Sequence, residues 1–172
     1  MQNKPLILLG SARKASDTGK FVDTLFPGDS AAVVDLLDYT IAHYRYDGLY
    51  PPEDDFPHLV ELLLQHQQLI FATPVYWYAM SGLMKVFFDR LTDIVTIQKQ
   101  TGRQLKGKQT FLLAVGAEEI LPLGFEEPFR LTSEYFGMEF MASIYCRTSE
   151  IHVKGIKGEA FLRSLENATK KR

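Results

Sequence analysis

Short apolar runs alternate along this chain with segments in which apolar residues recur every three or four positions. The runs Leu6–Gly10, Ala31–Leu36, Gln68–Thr73, Gln109–Val115 and Glu139–Cys146 read as five strands. Gln68–Thr73 is continuous and apolar, as a central parallel strand buried on both faces must be. Between the strands, Thr18–Phe26 predicts a helix stopped by Pro27-Gly28. Pro57–Gln65 predicts a second, with Leu59, Val60, Leu62, Leu63 and Leu64 at helical spacing and Asp54 and Asp55 as N-terminal cap candidates. Ser81–Val95 carries Leu83, Val86, Phe87, Leu91 and Ile94 on or beside one face, Pro128–Tyr135 lies in the next helix, and Ile156–Ala168 closes the chain. The stretch Asp38–Asp54, rich in Tyr, Asp and Pro, is a long connection. Strands alternating with helices predict an α/β fold with a parallel sheet. Right-handed crossovers on both faces then give a three-layer sandwich. With no repeat, linker or break in pattern, residues 1–172 form a single domain.

Composition narrows the class without naming a function. Hydrophobic residues make up 46% and charged residues 23%, the balance of an ordinary folded domain. The net charge of −2 points neither to nucleic acid nor to an anionic membrane, and the basic tail Lys170-Lys171-Arg172 is too short to change that. Leu6–Gly10 is shorter than the roughly 7–15 residues of a signal-peptide core. No Asp, Glu, Lys or Arg lies between Glu61 and Lys85, but Gln65-His66-Gln67-Gln68, Pro74 and Ser81-Gly82 interrupt that stretch. A span needs about 20 mainly apolar residues, so membrane insertion is not expected and the default compartment is cytoplasmic. Cys146 is the only cysteine; its strand setting predicts a buried, inert thiol. His43, His58, His66 and His152 are scattered without metal-ligand spacing, and His58 and His66 fall on a surface helix face.

Three loops at strand ends carry the candidate chemistry. The first, Gly10-Ser11-Ala12-Arg13-Lys14-Ala15-Ser16-Asp17-Thr18-Gly19, follows the first strand. A phosphate monoester held there needs short hydroxyls, free N–H groups and a helix N-terminus behind it. Ser11, Ser16 and Thr18 supply hydroxyls, Arg13 adds charge, and Gly10 permits a tight turn. The triphosphate loop pattern fails: reading back from Gly19-Lys20, Lys14 stands at the first glycine position and Phe21 at the hydroxyl position. The dinucleotide pattern fails at Ala12. A merely structural loop is the competing reading. The second loop, Thr73–Gly82, holds Tyr76, Trp77 and Tyr78 in a row. Side chains alternate along a strand, so the three rings cannot all face one side, and at least one must project toward the crevice at the sheet's carboxyl edge. There they would wall a flat isoalloxazine ring; packing in the core is the alternative. The third, Gly116-Ala117-Glu118-Glu119, admits close backbone approach at Gly116 and Ala117. Glu118 and Glu119 read as a helix-start signal or a solvated pair; beside a flavin they would oppose an anionic reduced ring. Together the loops suggest a flavin mononucleotide (FMN) site.

The motifs Gly10-Ser11-x-Arg13-x-x-Ser16-x-Thr18 and Thr73-Pro74-Val75-Tyr76-Trp77-x-x-Met80-Ser81-Gly82-x-x-Lys85-x-Phe87-Phe88-Asp89-Arg90 resemble those of the flavodoxin-like NAD(P)H-dependent oxidoreductases that bind FMN, the group of NADPH-dependent FMN reductases and quinone reductases. The resemblance implies strand order 2-1-3-4-5 with FMN at the switch point between the first and third strands. It places Ser11, Arg13, Ser16 and Thr18 around the phosphate, with Asp17 in the same loop. Pro74, Val75, Tyr76 and Trp77 line the ring and ribityl chain, Tyr78 and Ser81 belong to the same segment, and Gly116, followed by Ala117, lies by the pyrimidine end. Hydride would pass from NAD(P)H to the ring's N5 and on to a quinone, a nitro or azo compound, or free flavin. Because flavin carries the chemistry, no catalytic side chain is expected. An electron carrier of flavodoxin type, or a flavin-binding protein without turnover, is the alternative. Met84 and Phe88 form a second apolar edge on their helix, which suggests a homodimer.

Overall fold

The apolar runs become strands because burial on both faces rewards large aliphatic side chains at every position. In the computed structural model, which describes residues 4–151 and 158–170, the chain begins with β1 (Leu6–Leu9), α1 (Asp17–Leu25), β2 (Ala32–Asp35), α2 (Phe56–Gln65) and β3 (Gln68–Tyr76). A two-residue strand β4 (Ala79–Met80) leads into α3 (Gly82–Arg90), followed by the short helices α4 (Asp93–Thr96) and α5 (Lys99–Arg103). The last elements are β5 (Gln109–Gly116), α6 (Glu127–Tyr135), β6 (Glu139–Arg147) and α7 (Glu159–Lys170). The parallel strands lie in the order β2-β1-β3-β5-β6, the expected arrangement, with β4 added antiparallel to the end of β3.

Alternation along the strands divides the core into two. Leu6, Leu8, Leu69, Phe71 and Leu112 pack with Leu59 and Leu63 of α2, Met84 and Phe87 of α3 and Phe129 of α6. Ile7, Leu9, Ile70, Phe111 and Leu113 pack on the other face with Phe21 and Val22 of α1 and Phe161 and Leu165 of α7. The three-layer sandwich follows directly from these two faces.

Several local expectations are corrected. The helix expected over Ser81–Val95 ends at Arg90, where Leu91 and Thr92 donate to the carbonyls of Phe88 and Asp89, three residues back. That tightening carries Asp93 beneath Arg90, whose Nε donates to Asp93 Oδ2 at 2.8 Å. Asp55 sits at the N-cap of α2 but makes no cap bond; its carboxylate accepts from the Thr40 N–H instead. His66 is buried rather than surface-facing, because it turns the chain from α2 into β3 and its Nδ1 lies 2.8 Å from the Lys4 carbonyl. Beside it, the buried Lys108 ammonium donates to the carbonyls of Leu64 and His66, offsetting the negative end of α2. Met84 is core and Phe88 is half-buried against it, in ring contact with Phe71, Phe87 and Phe129, so the pair packs mainly inward rather than forming a separate apolar edge. The beginning of the closing helix at Ile156, His152, and Lys171-Arg172 of the tail lie outside the described residues.

The long connection is held by a buried charge cluster. Arg90 donates from Nη1 and Nη2 to Asp54 at 2.8 Å each and from Nη1 to the Ala42 carbonyl at 2.9 Å. Its guanidinium lies 3.5 Å from the centroid of the Tyr50 ring, and the Tyr50 hydroxyl donates to Asp93 at 2.9 Å. Tyr50 thus anchors the connection. Replacing Arg90 with Met would leave two buried carboxylates uncompensated, and should cost about 3–5 kcal/mol in urea denaturation. Burial pushes the Asp54 carboxyl up, but hydrogen bonds from Arg90 and Ala42 and the Arg90 charge bring it below the usual range. A lowered folded pKa gives stability that is complete above the unfolded value of about 3.9 and is lost as pH falls through the folded value. Asp54→Asn should therefore flatten the acid limb of the stability profile.

Candidate functional site

At the carboxyl edge of the sheet, β1 and β3 are stitched together before their loops diverge. The Gly10 N–H donates to the Ala72 carbonyl at 2.8 Å. The Ser81 hydroxyl donates to the Gly10 carbonyl and accepts the Met84 N–H at 3.1 Å, capping α3. The Ser81 N–H in turn donates to Thr73 Oγ1 at 3.1 Å. A Cβ on Gly10 would stand 2.9 Å from Met84 Cβ, so only glycine fits this junction without displacement. Ser81, expected near the cofactor, is buried and acts in this stitch.

The first loop closes on the N-terminus of α1. Ser16 is the N-cap, its hydroxyl accepting the Gly19 N–H at 3.0 Å, and Ser11, Ser16 and Thr18 are all buried. Arg13 is exposed and lies 3.3 Å from Asp17, which also accepts from Lys20 at 3.0 Å. Lys14 turns away to Asp35 and Asp38, at 2.8 and 2.6 Å; the Asp35 hydrogen bond, then that of Asp38, raises its pKa.

The second loop is a hairpin. Tyr76 pairs with Ala79, leaving Trp77 and Tyr78 as a two-residue turn with φ of +48° and +63°. Two positive φ values define the primed turn that normally takes Asn-Gly, and each L-residue with a Cβ is disfavoured there by roughly 1–2 kcal/mol. Burial does not compensate, since Trp77 is 93% exposed and Tyr78 67%.

The third loop leaves β5 at Gly116, where a Cβ would lie 2.8 Å from Tyr145 Oη and 3.1 Å from Val75 Cβ. The Tyr145 hydroxyl donates to the Glu118 carbonyl at 2.8 Å and the Thr148 hydroxyl to the Gly116 carbonyl at 3.0 Å. Burial, and then the Glu118 charge, push the Tyr145 phenol up, so it remains a proton donor at neutral pH. Glu118 and Glu119 are exposed.

These loops enclose a cavity of about 200 Å³. It is lined by Ser11, Arg13, Ser16, Asp17 and Thr18, by Pro74, Val75 and Tyr76, and by Gly116 and Ala117. Trp77 and Tyr78 stand outside it at the hairpin tip, and Ser81 lies beneath. Thr148 and Val115 complete the lining and had no signal in the loop motifs; the position of Thr148 one residue past β6 is the only cue. A larger cavity of about 330 Å³ lies under the long connection, where the Arg90, Asp54 and Asp93 charges already engage one another. Replacing Trp77-Tyr78 with Asn-Gly should relieve the turn and stabilise the protein by about 1–2 kcal/mol, read as a higher melting temperature.

Comparisons with known proteins identify the family and the fold. A family model described as NADPH-dependent FMN reductase matches residues 3–145. The Bacillus subtilis protein YwqN, provisionally named an NAD(P)H-dependent FMN-containing oxidoreductase, is 30% identical over 80% of this chain and 81% of its own. Among solved structures, the Trp repressor binding protein of B. subtilis is 25% identical, with 97% of this chain and 96% of that one covered and a TM-score of 0.67. An NADPH-quinone reductase of P. pentosaceus shares the fold at 14% identity, covering 97% and 96%, with a TM-score of 0.63. The chain belongs to the NADPH-dependent FMN reductase family.

Proposed function

We propose that the three-loop cavity binds FMN, with the phosphate among Ser11, Arg13, Ser16 and Thr18 and the ring against Pro74–Tyr76 and Gly116-Ala117. As a member of its family the protein is an FMN-dependent oxidoreductase that uses NAD(P)H. The convergence of a hydroxyl-rich helix start, an aromatic strand end and a glycine strand end on one cavity carries the assignment. The donor set suits a phosphate monoester: three hydroxyls, the positive end of the nine-residue α1 and one arginine. Asp17 would oppose the phosphate, but Arg13 and Lys20 offset its charge.

When bound, FMN supplies the two-electron chemistry, taking hydride from NAD(P)H and passing reducing equivalents to a quinone, free flavin or similar small acceptor. The residues bind and orient. At about 200 Å³ the cavity is smaller than the roughly 300–1,000 Å³ that encloses a whole small ligand, so part of the cofactor would remain open to a second substrate. The exposed Trp77, Tyr78, Ile120 and Leu123 on the adjoining loops support pairing with a second copy, as a homodimer. No described helix is long and apolar enough to cross a membrane. A cytoplasmic setting, where NAD(P)H is supplied, completes the proposal.

Anaerobic mixing of the FMN-loaded protein with NADPH or NADH should bleach the flavin absorption within seconds. Reduction only by a protein donor would favour an electron carrier instead. Substituting Ser16 and Thr18 together with Ala should weaken FMN binding at least about tenfold by removing two hydrogen-bonding groups. Loss of the Ser16 cap alone should cost about 1 kcal/mol of stability, so affinity is compared at temperatures where the variant is folded.

A further inference from the structure

We infer that Tyr145 and Thr148, at the end of β6, are positioning residues that turn the Gly116–Glu119 backbone so that it favours reduced over oxidised FMN. This inference rests on the FMN reading of the cavity. Tyr145 on β6 and Thr148 one residue past its end hold two carbonyls of one loop: Thr148 holds Gly116 and Tyr145 holds Glu118. The peptide bonds are trans, so each N–H points opposite to the carbonyl of its own peptide plane. With the Gly116 carbonyl drawn toward β6, the Ala117 N–H is turned toward β3, the strand whose Pro74–Tyr76 end forms the facing wall of the cavity. With the Glu118 carbonyl drawn to Tyr145, the Glu119 N–H turns away from that ring. Among the described residues, neither the Ala117 nor the Glu119 N–H has a protein partner. The loop therefore offers the Ala117 N–H to the cavity, while the Gly116 and Glu118 carbonyl oxygens are occupied.

That choice has an electrostatic consequence. Two-electron reduction adds negative charge to the flavin ring, and N–H donors fixed in advance stabilise such charge, whereas carbonyl oxygens oppose it. The exposed carboxylates of Glu118 and Glu119 act in the opposite sense, so the backbone orientation is what this loop has to favour the reduced state. Close packing makes the arrangement specific. Gly116 lies close between Val75 and Tyr145, where an added Cβ would stand 3.1 Å from Val75 Cβ and 2.8 Å from Tyr145 Oη.

The test measures FMN dissociation constants in both redox states for wild type, Tyr145→Phe, Thr148→Val and Thr148→Ser. Reduced FMN is generated with dithionite, so turnover is not needed. Tyr145→Phe and Thr148→Val should weaken reduced FMN about two- to tenfold more than oxidised FMN, the scale of one hydrogen bond. The midpoint potential of the bound cofactor should fall in step, and Thr148→Ser should behave as wild type. Equal weakening in both states would mean a merely structural role and would overturn the inference, as would unchanged affinities. If Tyr145→Phe does not fold, the Val and Ser pair at position 148 decides alone. Failure of the wild-type protein to bind FMN at all would instead remove the parent assignment.

Discussion

The junction of Ser81 with Gly10 is the interaction on which the site depends. One hydroxyl caps α3 and bonds the carbonyl of Gly10 just past β1, so the hydroxyl-rich first loop and the aromatic hairpin leave the sheet from a shared, fixed point. Parallel topology supplies the rest. The chain passes from β1 to β2 on one side and to β3 on the other, and the connections from adjacent strands run to opposite faces. A crevice must open between them, and Ser81 sets how closely its two walls approach. Met84 packed against Gly10 makes that approach intolerant of even one added carbon.

Rigidity beneath the site contrasts with strain at its mouth. The central strands β1, β3 and β5 are buried on both faces, and the Arg90 cluster ties the long connection to the end of α3. On that base the Trp77-Tyr78 turn keeps two aromatic side chains in left-handed backbone and in solvent. A fold that tolerates such a turn uses stability gained in its core to present those rings beside the cavity. Burial of a guanidinium with two carboxylates is itself a weak source of net stability; its effect is to specify one path for the connection.

Strand positions were legible because double-sided burial leaves unbroken apolar runs, strand order followed from the motif resemblance, and the hydroxyl-rich loop was legible because Ser11, Ser16 and Thr18 cluster at a helix start. Other features had no local signal. Trp-Tyr is not turn composition, so the hairpin and β4 were hidden behind three aromatics that read as a strand end. Ser81 stands in the cofactor segment, yet its hydroxyl is taken by a carbonyl 71 residues away in the chain. Arg90 resembles an exposed helical charge until Asp54, 36 residues earlier, is brought beside it. Thr148 and Tyr145 enter the site only through the placement of β6 next to β5, which periodicity cannot reveal. His66 was misplaced because a residue that ends a helix can turn inward to the next strand.

The central claim is that the loop from Ser11 to Thr18 holds the phosphate of a flavin whose ring lies against the second and third loops. Fluorescence titration of the cofactor-free protein with FMN and with riboflavin, which differ by that phosphate, tests it most directly. The geometry predicts that FMN binds at least about tenfold more tightly, the scale of one charge-assisted hydrogen bond. Equal affinities for the two flavins would contradict it.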